Sequence, residues 1–124
     1  MALYKNILQT IGNTPLVRLE RIEQHLQVNN EIYAKLESFN PGNNVKTRPA
    51  YYMIKDLYER HIINQSSVLV EGSSGNTGIG IAMVGAFYGN KVIIVMPETV
   101  SKERIQVLNL YGAKVILTPG DKGM

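Results

Sequence analysis

Two stretches of this sequence carry residue types at spacings that can do chemistry. The first is Val68 to Ile81, V-L-V-E-G-S-S-G-N-T-G-I-G-I, in which a polar glycine loop joins an apolar β-branched run to a helical pattern. A strand, a tight glycine loop and a helix in that order make an anion site. The first N–H groups of a helix have no internal partner, and the helix dipole adds positive potential there. Gly75 lets the backbone come close to a ligand. Ser73, Ser74, Asn76 and Thr77 add hydroxyl and amide groups that can orient a carboxylate or a phosphate. The second stretch is Asn40-Pro-Gly-Asn-Asn-Val-Lys46-Thr-Arg48, which sets a lysine between a turn and a helix start. An amine beside the positive end of a helix and a neighbouring guanidinium is a candidate for Schiff-base chemistry, although most lysines are solvated surface groups.

Other readings of the glycine loop can be tested on the residues. A P-loop needs Gly-Lys followed by Ser or Thr after four intervening residues. Gly75 to Gly80 has the glycine spacing, but Ile81-Ala82 follows, so the phosphate lysine is absent. A dinucleotide fingerprint needs G-x-G-x-x-G or A. Gly78 and Gly80 supply two positions, Met83 occupies the third, and Glu98 lies at a ribose-binding distance downstream. A nucleotide-binding module is therefore the weakest of the readings kept.

The surrounding pattern must position these groups. Tyr4 to Thr10 has helical spacing and ends at Ile11-Gly12. Leu16 to Leu19 and Glu31 to Glu37 read as strands, with a short polar helix or loop over residues 20–30. Thr47 to Arg60 is helical, with Tyr51, Ile54, Leu57 and Tyr58 on one face and Pro49 in the first turn. Val68 to Val70 is a strand, Thr77 to Tyr88 a helix closed by Gly89, and Lys91 to Met96 a strand buried on both faces. Ser101 N-caps a helix running to Tyr111 with Glu103 and Arg104 in its first turn, and Lys114 to Leu117 is a further strand. Strand-helix-strand-helix-strand with short links predicts a three-layer α/β fold around a parallel sheet, a βαβαβ unit with its binding edge at the carboxyl ends of the strands.

Composition narrows the classes. A chain of 124 residues has room for one modest domain or part of a larger one. The net charge of +3 comes from scattered bases with no long basic run, which argues against a nucleic-acid partner. There are no cysteines, which fits a reducing cytoplasm. No signal-peptide pattern opens the sequence, and no apolar stretch approaches the ~20 residues needed to cross a membrane. The last residues, Pro119 to Met124, read as a loop after a strand and so as a cut rather than a finish.

Taken together, Ile11-Gly-Asn-Thr-Pro-Leu-Val-Arg-Leu19, Asn40 to Arg48, Glu71 to Gly78, Met96-Pro-Glu98, Ser101-Lys-Glu-Arg104 and Tyr111-Gly-Ala-Lys114 closely resemble the cysteine synthase and cystathionine β-synthase family. These are fold type II pyridoxal-phosphate enzymes. The resemblance runs from about Tyr4 to the last residue and implies roles. Lys46 matches the lysine that holds pyridoxal 5'-phosphate covalently and then acts as general base at the substrate α-carbon. Ser73, Ser74, Gly75, Asn76 and Thr77 match the loop that grips the substrate α-carboxylate. Asn76 also matches the asparagine that bonds the cofactor's 3′-oxygen. The implied reaction is β-replacement on an activated serine (O-acetylserine, phosphoserine or serine) by sulfide or a thiol. Two departures stand out: Asn43-Asn44 where members commonly have small residues, and Thr47 where aspartate is common.

The resemblance implies that residues 1–44 belong with a large domain and that residues 45–124 form a small α/β domain, incomplete as it stands. A glycine-rich loop for the cofactor phosphate and a hydroxyl at the pyridine nitrogen are expected beyond Met124. An alternative is a non-catalytic fragment, or one half of a split enzyme that binds an amino-acid carboxylate or a partner chain. The expected partners are an amino-acid substrate and either a second copy or a complementing chain.

Overall fold

The computed structural model describes residues 2–123. In chain order the elements are β1 (Leu16–Arg18), α1 (Glu20–Leu26), β2 (Tyr33–Lys35), α2 (Thr47–Glu59), β3 (Val68–Gly72), α3 (Asn76–Tyr88), β4 (Lys91–Pro97), α4 (Lys102–Leu110) and β5 (Lys114–Thr118). Single 3-10 turns occupy Ile7–Thr10 and Glu37–Phe39. β3, β4 and β5 form a parallel sheet in that order, with Val70 opposite Ile93 and Val95 opposite Ile116. The α/β class and the βαβαβ unit read from the sequence are those observed. β1 and β2 make a separate antiparallel pair, with Val17 opposite Ala34.

α3 is the centre of the packing. Its sequence N-T-G-I-G-I-A-M-V-G-A-F-Y has no polar stripe, as suits an interior helix, and Gly80 through Gly85 are all buried. Its glycines set how closely the neighbours approach. A Cβ on Gly85 would overlap Val92 Cγ2, and one on Gly78 would lie 3.2 Å from Ile94 Cγ2, so both glycines turn to β4. One on Gly80 would lie 2.9 Å from the Ala50 Cβ, so Gly80 turns to α2. Val92, Ile94, Met96, Leu108 and Ala113 complete the core on the helix-covered face of the sheet.

Among the described residues no helix covers the other face. Leu69 reaches toward Gly85 of α3, so its neighbours Val68 and Val70 point the opposite way. With Ile93, Val95 and Ile116 they make an apolar face; Val70 is 63% and Ile116 40% exposed. Parallel sheets are ordinarily covered on both faces. No helix among the described residues is long and apolar enough to cross a membrane.

Several boundaries differ from the sequence expectation. β3 continues through Glu71 and Gly72, because Ile94 and Val95 of β4 pair with them. The strand expected over Glu31 to Glu37 shrinks to three residues, because Glu37 turns into a 3-10 segment and engages Arg48. The N-terminal helical pattern survives as one 3-10 turn, Ile7–Thr10. Ser101 sits at the N-cap of α4, but its side chain bonds no backbone N–H of the helix. It meets the Glu103 carboxyl instead, and that bond, after one from the backbone N–H of Glu103, holds the acid below its usual range.

Candidate active site

The loop after β3 is tied from inside. Ser73 N–H donates to the Val95 carbonyl at 3.0 Å, carrying the sheet pairing one residue further. Its buried hydroxyl accepts from the N–H groups of Gly75 (3.3 Å) and Gly78 (3.0 Å). Ser73 therefore shapes the loop rather than standing open on it. The Ser74 carbonyl accepts from Arg104 Nη1 of α4 at 2.9 Å. What remains is a set of donors. Among the described residues the N–H groups of Ser74, Asn76 and Thr77 donate to nothing. The last two open α3, where helix geometry leaves them unpaired. Gly75 is extended, with φ −140° and ψ −150°, and a Cβ there would meet nothing within 4 Å. Neither its backbone nor its packing demands glycine, and the space above it is open.

Lys46 stands at the N-cap of α2, with an exposed side chain. The turn before it is held by Asn44, whose Oδ1 accepts from Lys46 N–H at 2.8 Å and whose amide donates to the Gly42 carbonyl. A Cβ on Gly42 would run into the Thr47 hydroxyl, which is buried and has no hydrogen-bond partner among the described residues. The α2–α3 contact joins the two candidate stretches. The missing Cβ of Gly80 lets α3 approach the Lys46 carbonyl, which would lie 3.1 Å from such a Cβ. A cleft of about 260 Å³ then opens between the Pro41–Asn44 turn, Asn76 and Tyr111. Asn76 thus faces the turn that leads into Lys46; Lys46 itself and Ser73 to Gly75 lie outside the cleft walls.

Arg48 does not lend its charge to Lys46. Its guanidinium grips Glu37 with two bonds of 2.8 and 2.9 Å, and donates to Thr14 Oγ1 (2.7 Å) and the Gly12 carbonyl (3.2 Å). The positive charge expected beside Lys46 is instead paired with Glu37. The hydrogen-bonded Arg48 guanidinium holds the Glu37 carboxyl well below the usual carboxylate range, at about 2. Asn40 completes the cluster, donating to Glu37 Oε2 at 2.8 Å and accepting from Gly12 N–H at 3.0 Å. The Arg48 that follows Thr47 is thus held by a glutamate eleven residues upstream.

The family model for "Pyridoxal-phosphate dependent enzyme" matches residues 7–123. The chain belongs to that family. It is 46% identical over 121 residues to a cysteine synthase from Flavobacterium sp., covering 98% of this chain and 38% of that protein. It is 48% identical over 114 residues to cystathionine β-synthase from Apis mellifera, covering 92% of this chain and 23% of that one. The cysteine synthase structure from Entamoeba histolytica superposes with a TM-score of 0.92 at 40% identity, covering 98% of this chain and 37% of that chain. The chain spans well under half the length of these relatives. Pyridoxal phosphate is the cofactor of the family.

Sequence reading located the loop and the lysine but not what holds them. Gly80 entered the sequence reading only as a position in the two phosphate-loop patterns, not as the point where α3 meets α2. Arg104 and Glu37 gave no local signal, since their partners lie thirty and eleven residues away. The dinucleotide reading finds no support: Met83, in the third glycine position, is part of the packed core.

Proposed function

We propose that this chain supplies the lysine and the carboxylate-binding loop of a pyridoxal-phosphate site for cysteine synthase-like β-replacement on an activated serine. The observation that carries this reading is the set of three unpartnered backbone donors, Ser74 in the loop and Asn76 and Thr77 opening a helix packed through Gly80 against the Lys46 carbonyl. The donors bind the α-carboxylate of the amino acid, aided by the helix dipole. Asn76, exposed at the first position of α3, offers its amide to the cofactor's 3′-oxygen. Lys46 anchors the cofactor, then takes the proton from the substrate α-carbon and returns it. Ser73 keeps the donors aimed, and open space over Gly75 leaves the carboxylate room to approach. When bound, pyridoxal phosphate supplies the electron sink for the charge that develops at the α-carbon. The residues present fit the amino-acid side of that group.

The same reading assigns residues 1–44 to a separate domain from residues 45–124. The independent β1–β2 pair supports this. It also assigns a partner, a second copy or a complementing chain, in a cytoplasmic setting. The exposed Val68, Val70 and Ile116 support that assignment, and the absence of cysteine fits the compartment.

An NMR titration tests the loop. L-serine should shift the amide signals of Ser74, Asn76 and Thr77, whereas L-serine methyl ester, which lacks the carboxylate, should not. Equal shifts from both ligands, or none from either, would remove the carboxylate reading.

A further inference from the structure

Arg104 has no local reason to be where it is. It lies in the first turn of α4 together with Lys102, at the end where the helix dipole disfavours cations. The nearby acid is not its partner: Glu103 is held by its own backbone N–H and by the Ser101 hydroxyl. Among the described residues Arg104 forms no ion pair; it reaches across to the Ser74 carbonyl at 2.9 Å.

That carbonyl belongs to the peptide unit whose N–H is the Gly75 amide. The unit is planar, with its C=O and N–H pointing in opposite directions. One end is held by Arg104, and the other donates to the buried Ser73 hydroxyl at 3.3 Å. Gly75 has no side chain to resist rotation of this plane, and the space where a Cβ would sit is open. Turning the plane would swing a carbonyl oxygen toward the Ser74, Asn76 and Thr77 donors and place a negative dipole where an anion would sit. We infer that Arg104 is a positioning residue: it locks the Ser74–Gly75 peptide plane so that the loop presents donors, and it leaves an unpaired positive charge beside them. The inference rests on the carboxylate reading above for its functional consequence, but the lock can be read without any ligand.

Hydrogen exchange of the Gly75 amide reads the lock directly. Arg104→Gln should speed that exchange about tenfold, as expected for loss of a local restraint, while the unfolding midpoint of this exposed site stays unchanged. The same variant should weaken L-serine binding several-fold. Arg104→Lys, which keeps the charge and a donor, should restore most of both. Unchanged Gly75 exchange in Arg104→Gln would overturn the inference. Faster Gly75 exchange in a protein whose wild type shows no carboxylate response would uphold the lock and remove the carboxylate reading instead.

Discussion

Residues 2–44 and the β3–α3–β4–α4–β5 unit are held together by different physics. The second is a packed apolar body. α3 is buried on almost every side, and its glycines let β4 and α2 come within side-chain contact. Of residues 2–44, only Leu8 and Ile11 join the core cluster. The rest of that region is tied by polar groups: Arg18 to Glu23 at 3.0 Å, Glu37 to Arg48 at 2.8 Å, and Asn40 to the backbone of Gly12. Apolar packing fixes the distance between α2 and α3, and so between Lys46 and the loop. Polar ties fix how the N-terminal segment lies against the start of α2. The candidate site stands at the seam between these two regimes, and each can be perturbed without the other.

The largest effect should come from the packed side. Gly80→Ala places a methyl group 2.9 Å from the Ala50 Cβ and 3.1 Å from the Lys46 carbonyl, where neither neighbour is a flexible chain end. Overpacking of this kind costs about 1–3 kcal/mol. Thermal unfolding should show it as a lowered midpoint, and the start of α2 should move away from the loop.

The polar seam should respond to acid. Glu37 has a folded value depressed to about 2 from an ordinary 4.5, so its contribution is complete above the unfolded value and is lost as the pH falls toward about 2. Lowering the pH from 5 should therefore loosen the N-terminal segment before the parallel sheet. Amide exchange at Gly12, whose N–H is held by Asn40, should rise while exchange in β4 stays slow. Glu37→Gln should give the same loosening at neutral pH. Simultaneous loss of both regions would show that the two regimes are one.

The smallest effect on stability should be the most informative about function. Gly75→Ala adds a methyl group into open space on an extended backbone, so the unfolding free energy should stay within about 0.5 kcal/mol of wild type. L-serine binding should nevertheless weaken. A variant that binds as wild type does would show that the approach over Gly75 is not used.

The contrast also explains what the sequence disclosed. The apolar unit was legible because periodicity and glycine punctuation are local signals. Val92 to Val95 alternates between covered and open faces, and Gly89 closes α3 with a φ of +80°. Lys46 was legible as a lysine at a helix start, and the loop as a strand–glycine–helix junction. The polar seam was not legible, because Glu37 gives up its strand register for a partner eleven residues away. The sheet face that no described helix covers escaped for a related reason. A run such as V-I-I-V looks buried on both sides whether or not a second layer is at hand, since the residues are apolar in either case. Ser73 read as a ligand group because a hydroxyl in a glycine loop offers no local sign of whether it turns inward or outward.

In the function proposed above, Lys46 and the glycine loop form one working half of a pyridoxal-phosphate site. The most direct measurement is the visible absorption spectrum of the full chain with added pyridoxal phosphate, beside Lys46→Ala, before and after O-acetylserine. The wild type should show a cofactor-dependent band that is absent in Lys46→Ala and that changes when O-acetylserine is added. No band, or the same band in both proteins, would contradict it.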